Sequence, residues 1–324
     1  MVSDVPVAAL DSVPAVRVLV VTNMYPSPRR PALGSFVRDQ VEALSRIEGV
    51  DVDVFAFDPG GAGAYIRAAR DLRRGHRRDR YDVVHAHFGL SAWPAFAARG
   101  RARAVTLHGT DLAHPRSRAI TLAALPLLDL VAAVSEPLAR TVPAWATRRA
   151  TTAVLPCGVE LGRFRTIPRR EARAALGLAA DRPCLLFAAD PARPEKRHDR
   201  ALEVAGDVPL LTLGDVAPAD VPLRVNAANA VLVPSEREGF GLAVLEALAC
   251  EVPVLATPVG IAPEALAGID GTLCAAYDRD AWREALAPAL ADADPRIEGR
   301  ERAERYSTDA MAARVVDAWR ESLR

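Results

Sequence analysis

The sequence predicts an α/β chain made of two facing, Rossmann-like, doubly wound parallel-sheet domains with a cleft between them. Three observations carry this. Continuous β-branched apolar runs alternate with amphipathic segments, the pattern of parallel strands covered by helices on both faces. The alternation begins at residue 16 and restarts near residue 183. At 324 residues, half of them hydrophobic, the chain exceeds one ordinary domain and suffices for about two cores.

The first run, VRVLVVT at 16–22, reads as a buried parallel strand. A Pro-rich loop follows, and Gly34-Ser35 opens a helix with Phe36, Val37, Val41 and Leu44 on its apolar side. Strands are expected at 50–57, 81–88, 104–109, 129–135 and 151–159. Helices fall after Gly61 and near 91–99 and 117–127, with a short one behind residue 135. The second half repeats the scheme. It has strands at 183–189, 208–214, 228–235 and 252–258, and helices at 198–205, 241–250, 279–291 and 307–322. The expected division is an N-terminal domain over 1–160, a C-terminal domain over 161–306, and a helix at 307–324 packing back on the first domain. Only 13 residues separate Gly214 from the next strand, so the second domain reads as trimmed by one unit.

Composition narrows the function. Apolar content and zero formal net charge exclude disorder, and the neutral balance disfavours a nucleic-acid binder. The neutrality hides an asymmetry: residues 1–160 carry 20 Arg against 15 acids, +5, and the remainder carries −5. Seven Arg crowd residues 67–80, which suits a solvated face or attraction to an anionic surface. The four cysteines form no C-x-x-C and read as reduced thiols. Residues 1–15 lack the charge and apolar core of a secretory signal, and no apolar run spans a membrane, so a cytoplasmic or membrane-peripheral location is expected. Gly60-Gly61 lacks the dinucleotide spacing, and the three D-x-D triplets (51/53, 278/280, 292/294) read as solvated faces or loops. No metal is expected.

Of 41 basic residues only Lys196 is a lysine. Such an exception needs a reason, and a compact ammonium suits a phosphate oxygen. Gly239, Phe240, Gly241 and Leu242 open the 241–250 helix, where free N–H groups favour anions, and Gly34 opens a second such start. Glu246 lies within that otherwise apolar helix, where a carboxylate needs a partner. His85 and His87 are read as facing opposite sides of their strand, so that one, His87, lines the cleft.

Glu238 and Glu246 stand in an E-x7-E arrangement across a loop-to-helix junction. This resembles the motif of the retaining glycosyltransferases of family 4, which have the GT-B fold. Tyr25-Pro26, Gly34-Ser35-Phe36, HAHF at 85–88, HGTD at 108–111, Ser135, LPCGVELGRF at 155–164, PEK at 194–196 and PVLATPVG at 253–260 are similar to family segments in the family's order. The resemblance covers nearly the whole chain. It implies transfer of a sugar from a UDP-, GDP- or ADP-sugar to an acceptor hydroxyl, with no other cofactor. The acceptor is a glycan, a lipid-linked glycan or a small molecule. It implies that Glu238 contacts donor-sugar hydroxyls, Glu246 the ribose, Lys196 the diphosphate, and His108 the reacting centre. Tyr25, Arg38, His87 and Asp111 are the expected acceptor-side contacts. The sequence departs from the family where a Gly-Arg pair is usual. It has Ala188-Ala189-Asp190-Pro191 there, and Arg193 is the nearest replacement for the arginine. The alternative is a GT-B protein that binds nucleotide sugar without transfer, either epimerase-like or, given that departure, a degenerate subunit.

Overall fold

The computed structural model describes residues 15–214 and 216–324. The expected absence of a secretory signal concerns a segment that lies, but for Ala15, outside the described residues.

Two all-parallel sheets form. The first comprises β1 (Val16–Thr22), β2 (Val50–Ala56), β3 (Tyr81–His87), β4 (Gly100–Leu107), β5 (Leu130–Ala133) and β6 (Thr151–Val154), in the order β2-β1-β3-β4-β5-β6. The second comprises β7 (Leu185–Phe187), β8 (Leu210–Thr212), β9 (Ala230–Val233), β10 (Val254–Ala256) and β11 (Leu273–Cys274), in the order β11-β10-β9-β7-β8. Both orders reverse direction beside the first strand, at β1 and β7. Ligand crevices of open α/β sheets lie at such points. The central strands are apolar on both faces because helices cover both, and β1, β3, β5 and β9 are buried almost throughout.

Each sheet has a core on either face. Trp319 anchors one core of the first sheet, beneath the Ser35–Leu44 helix and the last helix, Thr308–Ser322. Trp282 anchors one core of the second. A third core crosses between the domains: Val134, Val159 and Phe164 pack with Val233, Phe240 and Tyr306.

The chain passes between domains twice at one spot. Val159 donates its N–H to the Tyr306 carbonyl at 2.8 Å and accepts from Thr308 at 3.0 Å. A Cβ on Gly158 would lie 2.6 Å from the Thr308 Cα, so only glycine allows this backbone approach. The last helix thus belongs to the first sheet's core although the second domain precedes it.

Several boundaries differ from the sequence reading. The strand expected at 151–159 ends at Val154, because the next residues turn to meet Tyr306 and Thr308. The short gap after β8 holds a helix, Val221–Ala227, but no strand among its described residues. Helix Arg169–Ala175 and β11 lie where no element was expected.

Candidate active site

The carboxyl ends of the two sheets meet backbone to backbone. A Cβ on Gly239 would fall 1.9 Å from the His108 carbonyl oxygen, and one on Gly109 would fall 3.0 Å from Gly239. The Ser135 hydroxyl, at the end of β5, donates to the Gly239 carbonyl at 2.9 Å. Three chain segments therefore converge at one point, and side chains there have been exchanged for proximity.

On the second domain, two strand-end loops are tied together. After β7, Pro194–Lys196 makes one tight turn; after β9, residues 235–241 lead into the Leu242–Ala249 helix. Glu236 donates its N–H to the Glu195 carbonyl at 2.9 Å. Lys196 Nζ donates to Glu238 Oε2 at 2.5 Å, and Ser235 Oγ donates to Glu238 Oε1 at 2.8 Å. The two charged side chains are only 12% and 10% exposed, so this pair is largely desolvated. An ammonium has three donors, and Glu238 uses one. Gly241 caps the helix at φ +93°, a conformation costly for any residue with a Cβ. The Phe240 ring is buried in the interdomain core, so only its backbone faces the loop.

On the first domain, three imidazoles form a stack. His85 and His87 lie 4.8 Å apart between ring centroids, and His87 and His108 lie 5.3 Å apart. This corrects the expectation that His85 and His87 face opposite sides: residues two apart on a strand share a face, because side chains alternate with period 2. Both are fully buried, while His108 is only partly exposed beside Phe36. Burial holds all three neutral. It pushes His87 down to about 4, and drives His85 and His108 well below the ordinary histidine range, helped by neighbouring imidazoles. Asp111 is also buried, with burial pushing its carboxyl up against the pull of backbone donors. Oδ2 accepts from the N–H groups of Gly89 and His108, and Oδ1 from Gly109. Asp111 therefore shapes the loop that carries His108, and its oxygens are already occupied.

Glu246 lies at the junction. It retains some exposure, yet burial around its carboxyl pushes it from 4.5 up to about 7, with Arg163 pulling down and Asp39 pushing up. Arg163 makes a two-pronged ion pair with the buried Asp39, which also takes Arg38 at 2.9 Å. Arg38 thus pairs along its own helix with Asp39 and Glu42. Tyr25 is half-buried against the first core, with burial raising its hydroxyl. The backbone of Gly34, at φ +66°, fits under Met24, whose oxygen a Cβ would meet at 2.1 Å.

Arg193 is half-exposed and turned to Glu195, at 2.7 Å. The sequence reading missed Ser235, Gln40 and the Arg163–Asp39 pair. Ser235 could have been found from its place at a strand end, and Arg163 from its place in LPCGVELGRF; Gln40 and Asp39 give no local signal. Among the described residues no group of three His, Cys, Asp or Glu side chains could hold a metal ion.

Residues 16–163 match the family model described as Glycosyltransferase Family 4, and residues 210–310 match Glycosyl transferases group 1. The D-inositol 3-phosphate glycosyltransferase of Mycolicibacterium paratuberculosis is 30% identical over 356 residues, covering 91% of this chain and 79% of that one. The enzyme of the same name from Actinosynnema mirum is 30% identical, covering 72% and 71%. Among solved structures, sucrose-phosphate synthase of Thermosynechococcus elongatus superposes with a TM-score of 0.74 at 21% identity, covering 95% of this chain and 98% of that one. HepE of Anabaena, solved with UDP and glucose, gives 0.68 at 16% identity, covering 94% and 100%. Two parallel α/β sheets that meet at their carboxyl ends, with these neighbours, define the GT-B fold, and the family models and curated relatives make the chain a glycosyltransferase. Within that class, the chain belongs to glycosyltransferase family 4.

Proposed function

We propose that this glycosyltransferase binds a nucleotide-sugar diphosphate between Lys196 and the start of the Leu242–Ala249 helix. The sugar then passes to an acceptor hydroxyl with retention of anomeric configuration, without a metal. The carrying observation is the desolvated Lys196–Glu238 contact, set beside the Gly239–His108 junction of the two domains. The acceptor oxygen bonds to the anomeric carbon as the bond to the diphosphate breaks on the same face. The departing phosphate oxygen takes the hydroxyl proton. Charge grows on the diphosphate, and Lys196 with the helix N–H groups stabilises it; such preorganised donors are each worth about 10²–10³ in rate. Glu238 orients sugar hydroxyls, Glu246 the ribose hydroxyls, and His108 faces the sugar from the other domain. Asp111 and the buried His87 position His108, and Tyr25 and Arg38 are the acceptor-side contacts.

The relatives named as acting on D-inositol 3-phosphate favour a small polyol or glycan acceptor. The neighbour solved with UDP makes UDP the first nucleotide to test. A peripheral membrane location is supported by one face of the first domain. All seven Arg between 67 and 80 are exposed, beside Ile66 (69% exposed) and, on the next helix, Trp93 (40%). Among the described residues no helix is long and apolar enough to cross a membrane. Two experiments test these readings. Product anomers from UDP-, GDP- and ADP-sugars, with and without EDTA, test the chemistry: inversion, or loss with EDTA, overturns it. Sedimentation with phosphatidylglycerol vesicles tests the surface: no binding at low salt overturns it.

A further inference from the structure

The imidazole stack has a feature that the transfer chemistry leaves unexplained, an ordered run of hydrogen bonds. Gln40, on the Ser35–Leu44 helix, places its amide Nε2 3.4 Å from His87 Nε2. His87 Nδ1 lies 3.1 Å from His108 Nε2. A second run begins at Trp319, whose indole Nε1 lies 3.0 Å from His85 Nδ1, while His85 Nε2 lies 2.8 Å from Thr106 Oγ1.

An indole N–H only donates. His85 therefore accepts at Nδ1, carries its proton at Nε2, and donates to Thr106. An amide nitrogen also only donates, so His87 accepts at Nε2 and carries its proton at Nδ1. That proton points at His108 Nε2, which must accept. A neutral imidazole has one proton, so that of His108 sits on Nδ1. Among the described residues, Nδ1 of His108 has no hydrogen-bond partner. The two runs fix opposite tautomers in adjacent histidines of one strand.

We infer that Gln40 and His87 are positioning residues that hold His108 as the Nδ1–H tautomer, so that it presents a hydrogen-bond donor, never an acceptor, to the substrate. The complementary group is an oxygen with a free lone pair, such as a sugar hydroxyl oxygen accepting from Nδ1–H. A donor fixed in advance needs no reorganisation when that oxygen arrives. The inference rests on the proposed role of His108 facing the sugar, but the tautomer itself does not.

The test is nitrogen-15 NMR on the full chain with labelled histidines, the His108 signals assigned by their loss in His108→Gln. The inference predicts a protonated Nδ1 and an unprotonated Nε2 for His108 at pH 7. A protonated Nε2, the state that a reversed Gln40 amide would impose, overturns it. The second measurement uses Gln40→Leu, which removes the amide donor. His108 then shows a mixture of tautomers, and kcat/KM falls about tenfold with little change in melting temperature. Unchanged kcat/KM despite a mixed tautomer overturns the functional half. Full activity of His108→Gln instead sinks the role of His108 proposed above, and leaves the tautomer result standing.

Discussion

Replacing Lys196 by Ala separates a structural ion pair from a catalytic one. Lys196 and Glu238 are 12% and 10% exposed, so the weak values of surface pairs do not apply. Breaking a fully buried pair costs roughly 3–5 kcal/mol, because one charge is left without its partner. Here the Ser235 hydroxyl still donates to Glu238, and a tenth of the surface stays wet. Those two features bring the expected stability loss to about 2–3 kcal/mol. The double variant Lys196→Ala, Glu238→Gln removes both charges and should return to within about 1 kcal/mol of the parent. Activity should not follow. Loss of the charge proposed to face the diphosphate should lower the rate about 10²–10³-fold in the single variant, with the double variant no better. The assay pairs chemical denaturation with initial rates of nucleoside diphosphate release. A double variant that regains both stability and rate would refute the assignment, because the pair would then be purely structural.

Three further predictions follow from the same geometry. Gly239→Ala drives a Cβ into the His108 carbonyl, so the domains part: solution scattering should show a larger radius, and turnover should fall at least about 10²-fold. Glu246 has its folded pKa raised from 4.5 to about 7, so the folded state binds more protons in that window. Stability contributed by this group therefore falls as pH rises from 4.5 to 7 and is flat above; Glu246→Gln removes the slope and is more stable at pH 8, by at most about 3 kcal/mol. Trp319→Phe keeps most of the packing but leaves His85 Nδ1 without its donor, costing about 1–3 kcal/mol by thermal unfolding.

The architecture was legible because its strands are buried on both faces. Runs such as VRVLVVT and YDVVHAHF are apolar without interruption, and β1 and β3 fall within a residue of expectation. The helix Arg169–Ala175 was not legible, because its buried face is arginine. Arg169 is buried by donating to the Ala228 carbonyl and Asp294, and Arg173 by donating to Ala227, Ala180 and Asn229. Hydrophobic periodicity is blind to a helix held that way. At the candidate site, the motifs point to Glu238, His108 and Lys196 in loops that follow strands, and to Glu246 inside the Leu242–Ala249 helix. Their partners were hidden by distance along the chain. Asp39 meets Arg163 across 124 positions, and Trp319 meets His85 across 234. The shared face of His85 and His87 follows from strand period alone, against the expectation that they point to opposite sides.

The donor site is tested most directly by calorimetric titration of UDP, GDP and ADP into the parent chain and into Lys196→Ala. The proposed site predicts that one nucleotide binds the parent with micromolar affinity, and that this affinity falls at least about tenfold when the ammonium proposed to face the diphosphate is removed. Equal affinity in both proteins, or no binding of any nucleotide to the parent, would contradict it.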